Sequence, residues 1–167
     1  KGIEEFSRPQ NLQLIKSTPG VVISSWESVS DKIKILGLAT VESDGFINYK
    51  LKVKALRAVK ALDFRLEIPI RSEVAKYMMG MDLEGTKVPD NHMSGWNGPH
   101  DSFWIGNTYG GIHCELRGSE YHGPLLNRYK PEPPASWHNQ GKGGFSIKTG
   151  GGEVVASVYS GERKLAQ

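Results

Sequence analysis

One cysteine in 167 residues leaves Cys114 without a partner in its own chain, so no internal disulfide framework holds this fold. A chain of this length buries a sizeable core without such staples. A strong charge bias is also missing. The formal net charge is +3, and the basic residues are dispersed rather than gathered into the stripe that marks a nucleic-acid binder. Lys50, Lys52 and Lys54 come closest to one. No apolar run is long enough to cross a bilayer, and no signal peptide is visible. Neither nucleic acid nor a membrane is therefore expected as a partner. The sequence begins at Lys1 rather than Met, which suggests a processed or excised piece.

Catalytic signatures are missing as well. H-E-x-x-H, G-x-S-x-G and G-x-x-x-x-G-K-[ST] do not occur. His113-Cys114-Glu115 has the H-x-E half of the zinc deaminase signature, but the P-C-x-x-C half needs cysteines the chain does not have. In a strand, His113 and Glu115 share a face, where they could bind a metal or serve as acid and base. A polar hairpin face accounts for them more simply. Gly141-Lys142-Gly143-Gly144 lacks the upstream glycine and the following Ser/Thr of a phosphate loop, and reads as a turn needing positive φ. No cofactor and no metal site is expected.

What is present is short strands and turn signals. Ile15–Thr18 and Val21–Trp26 flank Pro19-Gly20. From Ile33 the apolar phase slips by one at Leu36-Gly37, which predicts a β-bulge. Asp44-Gly45 is a tight-turn signal. After it Ile47, Tyr49, Leu51, Val53 and Ala55 alternate with Asn48, Lys50, Lys52 and Lys54. A second alternating run places Leu62, Phe64, Leu66, Ile68 and Ile70 opposite Asp63, Arg65 and Glu67. The two runs are expected to pair as an antiparallel hairpin over one core, with the lysine row balanced by Asp63 and Glu67. That balance favours a solvated face over an anionic-ligand site. Ser72–Met79 has the composition of a short helix, and Asp82–Asn97 reads as loop. Ser102–Gly106 and Ile112–Leu116 form a second hairpin, with Ile112, Cys114 and Leu116 inward. Pro124–Tyr129 is a further strand candidate, and Lys130–Pro134 must be extended. Phe145–Lys148 and Glu153–Tyr159 form a third hairpin around Gly150-Gly151-Gly152. The fold class is all-β: a mostly antiparallel β-sandwich built from hairpins, with little helix, forming a single domain over residues 1–167.

The stretch Gly95–Gly144 concentrates the unusual residues: three of the four tryptophans, four of the five histidines and the cysteine. Aromatic faces beside Asp, His and Asn side chains are what a sugar site uses, because the ring packs on C–H faces while polar groups read hydroxyls. Trp96, His100, Asp101 and Trp104 have this character, as do Trp137, His138, Asn139 and Gln140. The competing reading is that these tryptophans are core residues under long loops. Glycoside hydrolysis needs two carboxylates across a cleft; Asp101, Glu115 and Glu120 are available, but their spacing singles out no pair. The candidate residues are Trp104 with Asn107, and Trp137 with His138, Asn139 and Lys142, expected to gather at one end of the sandwich.

Several blocks carry a family resemblance: DGFINYKLKVKALRAVKALDFRLEIPIRSEVAKY, SFWIGNTYGGIHCELRG, PLLNRYKP, PPASWHNQGKGG and VYSGERKL, in that order over most of Asp44–Leu165. They resemble the N-terminal domain of glycoside-hydrolase-123-like proteins. The resemblance implies a β-sandwich that precedes a catalytic (β/α)-barrel in a large, exported bacterial protein, secreted or periplasmic. In family 123 enzymes an Asp-Glu pair on the barrel acts with the substrate's acetamido group. No barrel lies in these residues, so no catalytic residue is assigned. The resemblance also makes the chain an incomplete segment of a larger multidomain protein.

The expected function is thus a non-catalytic domain that supports a catalytic barrel of the same parent protein and contributes to carbohydrate binding. If the tryptophan loops face the barrel, the truncated chain should self-associate. One alternative is a stand-alone carbohydrate-binding module. Another is a small enzyme using His100, Asp101, His113 and Glu115.

Overall fold

The computed structural model describes residues 9–61, 63–81, 83–95, 102–118 and 134–165. Leu62, Trp96, His100, Asp101, Glu120 and the 124–129 strand candidate lie outside the described residues. The chain divides into two compact units, residues 1–60 with 164–167, and residues 61–163. The described elements are nearly all strands in antiparallel sheets, as the turn-rich alternating sequence predicts.

The first unit holds a four-stranded meander in the order β1 (Gln10–Thr18), β2 (Val21–Val29), β3 (Ile33–Glu42) and β4 (Ile47–Ala55). The Asp44-Gly45 signal forms its β3–β4 turn. Asp44 Oδ1 accepts from the Phe46 amide at 2.9 Å, and Gly45 takes φ +91°. The predicted bulge at Gly37 is absent: pairing with β2 and with β4 runs unbroken through Leu36 and Gly37. The phase slip has a different origin. β3 is a central strand with apolar residues on both faces, and Gly37 faces Trp26 across the β2–β3 pair. A Cβ on Gly37 would meet the indole at 2.1 Å, so glycine makes room for the ring.

The expected pairing of the two clearest alternating runs does not form. β4 pairs with β3, and the second run, β6 (Arg65–Arg71), pairs with β13 (Glu153–Tyr159) in the other unit. Ile47, Tyr49, Leu51 and Val53 are exposed, Tyr49 at 62%. The lysine row therefore does not meet Asp63 and Glu67 across a hairpin. Register sets Lys50 and Lys52 opposite Leu38 and Leu36. The nearest acid on that face, Glu27, is paired with Lys34. The hydrogen bond from Lys34, with that from Asn11, holds its carboxyl below the usual range.

The second unit is the sandwich. One sheet has the order β11–β10–β7–β8 and the other β6–β13–β12–β9. Here β7 is Tyr77–Gly80, β8 Leu83–Lys87, β9 Asn91–Gly95, β10 Ser102–Asn107, β11 Gly110–Glu115 and β12 Gly144–Gly150. Short strands β5 (Val59–Ala61) and β14 (Arg163–Leu165) lie at the unit boundaries. Alternation sends Met78, Phe103 and Ile105 from the first sheet, and Ile70, Phe145, Ile147, Val154, Ala156 and Val158 from the second, into one core. Phe103 and Phe145 meet between the sheets with ring centroids 4.7 Å apart. Leu66 and Ile68 face this core half-buried. Pro69 is tolerated because β6 is an edge strand.

Two further sequence readings change. Ser72–Met79 is not a helix: a turn returns the Val74 and Ala75 amides to the Arg71 carbonyl, and β7 follows. Ala75, Met78 and Met81 have helical spacing, but they reach the core from the turn before β7, from β7 itself and from the residues after it, where Gly80 and Met81 take left-handed φ of +90° and +52°. The 82–97 stretch, read as loop, contains β8 and β9. Their composition is poor for strands, and pairing with β7 and β12 decides the conformation instead.

Candidate functional site

The candidate residues fall into two groups at opposite ends of the sandwich. Asn107 closes the β10–β11 hairpin. That end also holds the Gly150–Gly152 turn, because the Ser72 amide donates to the Gly152 carbonyl and the Lys76 amide to the Gly106 carbonyl. Trp137–Lys142 precedes Gly144, at the other end of β12. The length of that strand separates them, roughly 20 Å at the usual rise. A single gathered site does not form.

The second group is built as a backbone lock. Ala135–His138 makes one helical turn, α1, that ends with Asn139 in the left-handed region at φ 45°. Gln140 and Gly141 continue left-handed at φ 58° and 82°. The Asn139 amide then donates to the Ser160 carbonyl at 2.7 Å and to the Glu162 carbonyl at 3.0 Å. From the other side Asp63 Oδ1 accepts from the Gly161 amide at 2.9 Å and the Ser160 amide at 3.2 Å. Arg163 donates to the Ser136 carbonyl, and its guanidinium stands 5.9 Å from the Phe64 ring. Residues 160–162 are thereby held by Asn139 and Asp63 together.

The glycines of this loop follow from the same contacts. A Cβ on Gly143 would lie 1.8 Å from the Trp137 carbonyl oxygen, and one on Gly144 would lie 2.4 Å from the Tyr159 hydroxyl. Gly161, at φ +65°, sits against the Lys142 carbonyl. Trp137 packs half-buried on the core. His138 contributes its carbonyl to the Gly143 amide. Of Trp137, His138, Asn139 and Lys142, only Lys142 is exposed. The blocks SWHNQGKGG and YSGERKL are thus two halves of one structural contact, which spacing alone cannot reveal because they lie about twenty residues apart.

In the first group Asn107 is also structural: its Oδ1 accepts from the Tyr109 and Gly110 amides at 2.9 and 3.2 Å. Trp104 differs. It stands on the outer face of β10, between Met79 on β7 and His113 on β11. Its indole lies over Gly106 and Gly111, where added Cβ atoms would meet Cζ2 at 2.5 and 2.7 Å. The side chain is only partly buried, so some of the ring remains open to solvent. Sequence reasoning overlooked its exposed neighbours Tyr77 and Met79, which lay in the stretch read as helix.

Of the enzyme candidates, Glu115 accepts from Arg117 Nη2 at 2.7 Å and from its Nε at 3.0 Å. His113 is exposed on the same face, two residues away. His100 and Asp101 lie outside the described residues. Cys114 faces the core, where burial, aided by the charge of Glu115, pushes its thiol up to about 11. It is protonated at neutral pH and a poor nucleophile.

No curated protein and no solved structure matches this chain. One family model does, over residues 2–167, and its description is glycoside hydrolase 123, third domain. The N-terminal position implied by the sequence resemblance is thereby corrected to the third. The chain belongs to the glycoside hydrolase 123 third-domain family.

Proposed function

We propose that this chain is a non-catalytic accessory β-domain that packs against another domain of a glycoside hydrolase, the one bearing the catalytic carboxylates. The observation that carries the reading is the apolar face of the first unit. Ile47, Tyr49, Leu51 and Val53 on β4, Val41 on β3 and Val22 on β2 share one side of the meander and are all exposed. A contiguous exposed apolar patch of this kind marks an interaction surface. A domain that is third in its family's order has other domains of the same protein as its nearest partners. The structural roles of Asn107, Asn139 and Asp63 also support the reading, since these polar residues are spent on backbone groups.

In this account the isolated chain self-associates through the face that its parent covers. Sedimentation velocity should show a concentration-dependent dimer for the unaltered chain, and a monomer for the double variant Tyr49→Ser, Val53→Ser. A monomer at every concentration for the unaltered chain would contradict the docking role of this face.

A further inference from the structure

We propose that the outer face of the β7–β10–β11 sheet is a carbohydrate platform, on which a neutral pyranose stacks on Trp104 and the next sugar lies over Tyr77. The inference rests on the glycoside-hydrolase reading and adds to it a surface and a ligand class.

The platform begins with two glycines. Gly106 and Gly111 are directly opposite in the β10–β11 ladder, and neither has room for a Cβ under Cζ2 of Trp104. The Cζ2 edge of the indole thus reaches over the glycine backbone of both strands. A partly open indole held against the sheet can meet the C–H face of a pyranose. Phe103 and Ile105, its neighbours in sequence, are buried on the far side of the same strand, so the ring rests on a rigid support.

Tyr77 extends the platform. It stands opposite Gly106, diagonal to Trp104 across the β7–β10 pair, and is 43% exposed. Diagonal neighbours in a sheet are about 7–8 Å apart, within reach of two consecutive sugars. Polar groups border the aromatics. His113 is directly opposite Trp104 and Glu115 directly opposite Ser102. Lys87 is opposite Tyr77 on β8.

Charge and polarity favour a neutral glycan as the occupant. Glu115 and Arg117 neutralise one another at 2.7 Å, which leaves little excess charge for an ionic ligand. An apolar protein surface seated here would desolvate His113, Lys87 and this ion pair without replacing their water contacts. Sugar hydroxyls replace them while the ring's C–H face covers the indole.

The test uses the whole 167-residue chain on an array of neutral and acidic oligosaccharides, followed by fluorescence titration with the best-bound glycan. The account expects a neutral glycan, a blue shift on binding, and at least about a tenfold loss of affinity for Trp104→Ala, on the order of 1.4 kcal/mol. Trp104→Phe should retain part of the affinity, Tyr77→Ala should weaken it, and Trp137→Phe should leave it unchanged. Binding to no neutral glycan overturns the proposal. So does binding that survives Trp104→Ala in a variant with unchanged far-ultraviolet circular dichroism. If that variant does not fold, the exposed changes Tyr77→Ala and His113→Ala decide, and unaltered affinity in both overturns it. Failure here leaves the accessory role standing, because self-association reads a different unit of the chain.

Discussion

Asn139 does the work of two residues at one point in the chain. It accepts a left-handed backbone that most side chains resist, and its amide ties two carbonyls of the 160–162 segment to the loop. Losing both hydrogen bonds in Asn139→Ala should cost about 1–3 kcal/mol, read as a lower urea midpoint with an unchanged slope. Asn139→Gly keeps the backbone but not the amide, so it should recover only the part owed to φ. A midpoint equal to the unaltered protein in both would show that these bonds carry no stability. Cys114 makes a pH prediction. Its folded value of about 11 exceeds the ordinary 9.0, so the unfolded chain loses the thiol proton first as pH rises. The contribution of the protonated thiol is fully present below about pH 9 and is lost as pH climbs towards 11. Compared with Cys114→Ala, the unaltered chain should lose more stability across that window, and equal slopes in chemical denaturation would contradict the burial. Alkylation at neutral pH should correspondingly be slow until the chain is unfolded.

Among the elements, β10 and β12 carry the sandwich, because each contributes a fully enclosed phenylalanine where the sheets meet. Phe145 is 0% exposed and touches Phe103 across the core. Phe145→Ala should cost about 3–5 kcal/mol, seen as loss of cooperative thermal unfolding at the wild-type midpoint. Both hairpins that supply these rings were legible in the sequence. Asn107–Gly110 and Gly150–Gly152 mark their turns, and Val154, Ala156 and Val158 alternate cleanly. The partners of β4 and β6 were not legible, because two alternating runs with a short connection look the same whether they pair together or elsewhere. What decides is the competing edge: β13 offers Val154, Ala156 and Val158 to Ile70, Ile68 and Leu66, and β3 offers Ile35 and Ala39 to Val53 and Tyr49. The candidate site was legible in part. Trp104 stood out by composition, whereas Tyr77 was hidden because Ala75, Met78 and Met81 imitate a helix. Asn139 and Lys142 stood out for a different reason, the needs of a turn.

For the whole molecule, the first unit presents an open apolar sheet face and the second a closed sandwich with an aromatic outer face. Family membership assigns the chain to a glycoside hydrolase as its third domain. The residues that first suggested chemistry are largely engaged: Glu115 with Arg117, Asn139 with backbone carbonyls and Cys114 with the core. In the role proposed above, catalysis belongs to another domain of the parent protein, which this chain supports. The most direct test is a turnover measurement on the isolated chain with a panel of chromogenic glycosides, including N-acetylhexosaminides. The account predicts no release above the buffer control for the unaltered chain, and none for Glu115→Gln. Turnover by the unaltered chain that Glu115→Gln or Asp101→Asn abolishes would contradict it.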